Sequence, residues 1–293
     1  MNLFDFFNDL TNPVLAFLPR ALLVAMLSSL VCGVVGTHVV LRGMSFVGDA
    51  LSHAVFPGIA IAFAVQGSIM AGGLVAGAIV ALLIAFGSQN RKLREDSLIG
   101  IFMAASFALG IIIMSRIPGY TGSLESFLFG SLTGVTDGQL LVVAATGAVI
   151  LLLVALIHPQ LVASTVDRDY ARTLGIRQGP IDAILYLLVA ATVVISVQSI
   201  GNILVLALLV TPAATARLLT NRLIPMMLIA PALGCLSAFM GVWISWSWDW
   251  PAGASIVMVL LAVFVCAWAF SSVFGRRLVR RRPRELARAE GRA

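Results

Sequence analysis

Apolar stretches of about membrane-spanning length succeed one another along the whole chain, separated by short polar breaks. A span needs roughly 20 apolar residues. Nine segments qualify: 17–41, 46–65, 69–87, 97–115, 138–157, 182–200, 203–219, 224–246 and 253–273. None shows the alternation of a half-buried strand, and no linker is long enough to separate two domains. The pattern predicts an all-α polytopic membrane protein with eight or nine spans. Residues 1–16 precede the first span as a short interfacial segment, 17–274 form one membrane domain, and 275–293 form a basic tail.

The basic residues orient the segments. Arg91, Lys92 and Arg94 make one basic loop. Arg168, Arg172 and Arg177 make a second, and Arg217 with Arg222 a third. By the positive-inside rule these and the tail face the cytoplasm. Three segments precede the Arg91 loop, so the N-terminus lies outside if all three cross. If only eight cross, one is broken or re-entrant. The weakest are 46–65, which contains Asp49, His53 and Pro57, and 203–219, which contains Pro212. Stretch 116–137 is a polar, Gly-rich connection in which LESFLFGSL forms a short surface helix. Trp243, Trp246, Trp248 and Trp250 cluster beside a chain break and mark a membrane interface.

Composition agrees with the pattern. Of 293 residues, 60% are hydrophobic and 11% charged, and mean hydropathy is +1.04. Soluble domains carry roughly 25% charged residues. A soluble enzyme, a disordered chain and a nucleic-acid-binding domain are excluded. The net charge of +6 equals that of the tail, where eight Arg outnumber Glu285 and Glu290, so it records no nucleic-acid surface. The tail arginines suit a cytoplasmic end beside anionic lipid. Cys32, Cys235 and Cys266 lie in apolar runs without metal-site spacing and read as small buried hydrophobes.

The candidate chemistry sits in GDALSHAVFPG, residues 48–58. Asp49 and His53 are four apart and share one face of a helix. Ionisable groups inside spans are costly and mark pathways or sites. Carboxylate oxygen with imidazole nitrogen suits Zn²⁺ or Mn²⁺. Pro57 cannot donate to the carbonyl of His53, and a helix break is expected there and at Pro212. An Asp–His hydrogen bond that merely steadies two helices is the structural alternative. His38 reads as an interfacial residue and His158 as a solvated one. Ser199, Asn202 and Thr211 are polar at a chain break and line a path or pack helices.

The segment LRGMSFVGDALSHAVFPGIAIAF resembles the signature of the ABC-3 family of metal-permease subunits. ESFLFGSL, DRDYARTLGI, GNILVLALLVTPAATARLL and DWPAGASIV extend the resemblance over most of residues 18–270. It implies a permease subunit of an ATP-driven importer for Mn²⁺ or Zn²⁺ in a bacterial plasma membrane. The pore metal site would be Asp49 and His53, working by alternating access. The implied partners are two cytoplasmic ABC ATPase subunits, an extracytoplasmic metal-binding protein, a second copy of this chain and membrane lipid. The acid–x–Ala–x₃–Gly stretch, with Asp167, Asp169, Ala171 and Gly175, would be the coupling helix that docks in the ATPase. No GxxxxGK[ST] phosphate loop occurs, as expected where ATP is hydrolysed by a separate chain. Rival readings are an iron-chelate or vitamin permease, in which Asp49 is dispensable, and an ion-coupled secondary carrier. An intramembrane metalloenzyme would need HExxH or its equivalent, and the three histidines are dispersed.

Overall fold

The computed structural model describes residues 3–89, 94–116 and 134–290, with side chains described from Phe4 to Val273 within those ranges. The expected helix in LESFLFGSL lies outside the described residues. Every regular element described is helical. A short α1 (Leu3–Thr11) and a 3₁₀ turn (Pro13–Leu15) precede α2 (Phe17–Leu41), α3 (Val47–Ala64), α4 (Ile69–Gly87) and α5 (Glu95–Met114). Then come α6 (Asp137–Val166), the short α7 (Arg168–Thr173), α8 (Gln178–Ile200), α9 (Asn202–Leu219), α10 (Leu223–Trp248) and α11 (Ala252–Glu290). Nine of these helices, counting α11 as Ala252–Val273, are long and apolar enough to cross a membrane. They match the nine segments of the sequence in number and order, but α6 runs on through Pro159 to Val166, beyond the expected end at 157. Helices α2, α3 and α8 are the most buried, and α5, α6 and α11 present wide apolar faces outward, as lipid-facing helices do.

The helix ends sort into two sets. At one end Arg42 meets Asp182, Arg168 meets Glu95, and Arg217 donates to the Val40 carbonyl. At the other, Trp246 Nε1 donates to Asp9 (2.8 Å) and Arg20 pairs with Asp137 (2.6 Å). The first end carries the basic loops and is therefore cytoplasmic. All nine helices alternate between the two ends, which places the N-terminus with Trp246 on the opposite side. No re-entrant segment is needed.

The breaks expected at Pro57 and Pro212 are corrected. Helices α3 and α9 run through both prolines. A single proline removes one hydrogen bond and bends a helix, but close packing holds the rest. Beside Pro57, a Cβ on Gly58 would lie 2.1 Å from the Gly72 carbonyl oxygen, so α3 and α4 touch backbone to backbone. The interruption falls instead at Gly201, between α8 and α9, whose φ of +80° and ψ of 161° only glycine adopts freely.

Small residues set the helix spacing elsewhere too. A Cβ on Gly36 of α2 would lie 1.8 Å from the Leu209 carbonyl oxygen of α9. Gly36→Ala should therefore destabilise the bundle by about 1–3 kcal/mol. Thermal melting of the detergent-solubilised protein reads this, with Gly100→Ala as control because nothing lies within 4 Å of that position. An unchanged melting midpoint for Gly36→Ala would mean that α2 and α9 are not in backbone contact. Of the cysteines, Cys32 is buried and Cys235 half-buried, but Cys266 is exposed on the outward face of α11.

Candidate functional site

The segment before α3 is built by glycine chemistry. Gly43, at φ +74°, ends α2: its N–H bonds to the Val40 carbonyl and that of Met44 to the Val39 carbonyl, a left-handed helix stop. Met44 turns inward and accepts from the Tyr186 hydroxyl of α8 (3.2 Å). The chain then enters α3, where Asp49 lies in the first turn. A carboxylate there is favoured by the positive end of the helix dipole. Its depth follows from its neighbour. A Cβ on Gly48 would touch Leu209, near mid-length of α9. The N-terminus of α3 is thus recessed inside the bundle.

Asp49 Oδ1 and His53 Nε2 stand 3.5 Å apart on one face, at 29% and 22% side-chain exposure. The pair is shielded but open to a small ligand. His53 packs edge-on against Phe107 of α5 (centroids 5.0 Å), which fixes the imidazole plane. Its Nδ1 is buried with no hydrogen-bond partner. Among the described residues no three His, Cys, Asp or Glu side chains gather into a metal-binding group. One chain thus offers two donors, where Zn²⁺ takes four and Mn²⁺ more.

The DRDYARTLGI stretch forms the short helix α7. Asp167 is its N-cap, accepting from the N–H groups of Asp169 (2.8 Å) and Tyr170 (3.0 Å). Gly175, at φ +77°, ends it: its N–H bonds to the Arg172 carbonyl and that of Ile176 to the Ala171 carbonyl. Gly175 therefore shapes a turn rather than admitting a neighbour, since nothing lies near its Cα. Ala171 is fully buried, pinning α7 to the bundle. Asp169 faces outward and pairs with Arg172, while Tyr170 and Leu174 are exposed.

A buried ionic network joins these two regions, and sequence reasoning missed it. Arg42 bonds to Asp182 through Nη1, to Thr165 through Nε (3.1 Å) and to Ser164 through Nη2 (3.0 Å). Ser164 in turn donates to Gln178. Arg168, the first residue of α7, reaches Glu95 (3.3 Å) and Asp182 (3.7 Å). The signal in the sequence was an arginine six residues ahead of the GDALSH segment.

Two histidines are corrected. His38 is fully buried rather than interfacial, and His158 is half-buried with its Nδ1 enclosed. They face each other, centroids 6.0 Å apart, because α2 and α6 cross there. Ser199 and Asn202 are buried at the Gly201 turn, at the opposite end from Arg42, and Asn202 Oδ1 has no partner.

The family model of the ABC 3 transport family matches residues 14–271. The chain belongs to that family. It is a multi-pass ABC-transporter permease subunit, of a kind whose ATPase is a separate chain. The manganese transport system membrane protein MntC of Halalkalibacterium halodurans is 41% identical over 270 residues, 92% of each chain. The chelated iron transport system membrane protein YfeC of Yersinia pestis is 33% identical over 268 residues, covering 92% of this chain and 91% of that one. Among solved structures, PsaBC from Streptococcus pneumoniae in complex with Fab superposes with a TM-score of 0.80 at 33% identity, covering 91% of this chain and 95% of that chain.

Proposed function

We propose that this permease carries Mn²⁺ across a bacterial plasma membrane, with Asp49 and His53 as the ligands that receive the ion in transit. The observation that carries the reading is the shielded, recessed carboxylate–imidazole pair with an unpartnered nitrogen. Hard oxygen with imidazole nitrogen accepts a divalent first-row ion. Two copies of the chain, meeting across a two-fold axis, would supply four donors where one supplies two. Few ligands also suit a path, because a site that binds too tightly cannot release. The relatives named for manganese favour that ion over Zn²⁺, and a chelate would need a wide opening beside the pair.

Transport then couples as follows. Cytoplasmic ATPase subunits grip α7 through Tyr170 and Leu174. Their closure moves α7, and Arg168 passes the displacement through Asp182 to Arg42 and the α3 entrance. The site alternates between the two sides, loaded from outside by an extracytoplasmic metal-binding protein.

Cellular metal content, read by mass spectrometry, tests the substrate. In a strain lacking this chain and starved of Mn²⁺ and Zn²⁺, the intact gene should restore manganese. Restoration of zinc alone reassigns the ion, and restoration of neither favours the chelate reading. The grip is tested separately. Tyr170→Asp with Leu174→Asp should abolish co-purification of the ATPase while the permease stays in the membrane at normal level. Retained ATPase would place the docking surface elsewhere.

A further inference from the structure

A polar cavity, of about 300 Å³, opens at the cytoplasmic end between α2, α6, α9 and α10, apart from the Asp49–His53 pair. Arg217, Asn221 and Arg222 are among its polar lining residues, and Leu41 and Met226 among its apolar ones. No carboxylate lines it. Neither arginine has an ion-pair partner among the described residues. Arg217 makes only a 3.3 Å contact to the Val40 carbonyl.

His38 also lines this cavity. It is 0% exposed, and both ring nitrogens lack a hydrogen-bond partner. A neutral imidazole carries one N–H donor and one acceptor, and a buried donor without a partner is costly. His158, facing it, has a second enclosed nitrogen without a partner. The N-terminus of α10, a helix of 26 residues, opens at the same place. Arg222 is its N-cap and makes no side-chain cap hydrogen bond, and no acidic residue lies in the first turn. The positive end of that dipole is uncompensated.

We propose that this cavity is a phosphate site for the headgroup of an anionic phospholipid of the cytoplasmic leaflet. Two guanidinium groups without an ion-pair partner, a helix N-terminus and a buried imidazole donor converge on it, and all four favour an anion. The same groups disfavour a metal ion: two imidazoles stand beside two arginines with no carboxylate to offset them. Apolar side chains, Leu41, Val162, Leu223 and Met226 among them, line the cavity beside the arginines, which suits a lipid with an acyl chain better than a soluble ion. Basic pockets between helices on the cytoplasmic side hold anionic headgroups by the same physics. The site does not depend on which ion the permease carries.

The experiment uses the full-length permease, delipidated in neutral detergent. Dioleoyl-phosphatidylglycerol, dioleoyl-phosphatidylcholine, inorganic phosphate and Zn²⁺ are added separately. Native mass spectrometry counts bound molecules, and thermal melting reads stabilisation. The wild type should retain phosphatidylglycerol several-fold over phosphatidylcholine, with a raised melting midpoint. The Arg217→Gln/Arg222→Gln double variant should lose both effects. These side chains are exposed, so its lipid-free melting should match the wild type. His38→Phe should lose them also. Inorganic phosphate that binds and stabilises as well as phosphatidylglycerol would keep the phosphate site but make its source soluble. Equal phosphatidylglycerol retention by wild type and double variant overturns the proposal. So does Zn²⁺ binding that His38→Phe abolishes while phosphatidylglycerol retention stays unchanged.

Discussion

Cells whose only copy of this permease carries Asp49→Asn or His53→Ala should accumulate manganese at least about tenfold more slowly than cells with the wild type, at equal membrane expression. Losing an outer-shell partner of a metal ligand already costs about 10–100-fold in affinity. Losing a ligand itself should cost no less, and the proposed two-fold pore would lose two at once. Asp49→Asn is the sharper variant because it keeps the shape and removes only the charge. The pair also contributes little to stability. Exposed or half-exposed i,i+4 ion pairs are worth roughly 0.3–0.5 kcal/mol, and a carboxylate in a first helical turn about 0.3–1 kcal/mol. Both variants should therefore fold, and a transport defect would report chemistry. Wild-type accumulation in both would make the pair a structural hydrogen bond between neighbouring turns of α3 and leave the pore ligands to be found elsewhere.

Much of this was legible in the sequence, for identifiable reasons. Hydropathy places the nine helices because lipid tolerates no unpaired backbone, so span length and apolar content are tightly constrained. The Asp49–His53 pair was legible because helical periodicity alone brings residues four apart together. The short helix α7 was legible as a pattern, yet the local roles of its residues were not. Asp167 caps the helix and Gly175 ends it, so two of its four singled-out positions shape backbone. What failed were long-range facts. The burial of His38 depends on where α6 crosses α2, 120 residues away in sequence. Continuity through Pro57 and Pro212 goes with close neighbours that the sequence does not reveal: Gly58 meets Gly72 of α4, and Pro212 lies beside Gly234 of α10. The Arg42–Asp182 pair joins positions 140 residues apart, and hydropathy carries no signal for such a partnership.

That pair yields the largest expected effect on the fold. Arg42 and Asp182 have side-chain exposures of 4% and 6%. Removing one member of such a buried pair strands the other's charge and costs about 3–5 kcal/mol. Asp182→Ala should therefore lower the melting midpoint sharply and reduce the amount of permease in the membrane, and Arg42→Ala should do the same. Replacing both, as Arg42→Met with Asp182→Leu, removes the stranded charge and should recover most of the stability, since apolar replacements of buried pairs are often neutral. Transport separates two meanings of the pair. If it only holds the helices, the double variant should carry manganese at a normal rate. The geometry gives it more to do. Asp182 bridges Arg168 of α7 and Arg42, which lies seven residues before Asp49, so it stands between the helix proposed to dock the ATPase and the helix proposed to hold the ion. The stable double variant should hydrolyse ATP with its partner subunits yet accumulate little metal. Normal accumulation by that variant would remove the pair from the coupling route and leave it a purely structural contact.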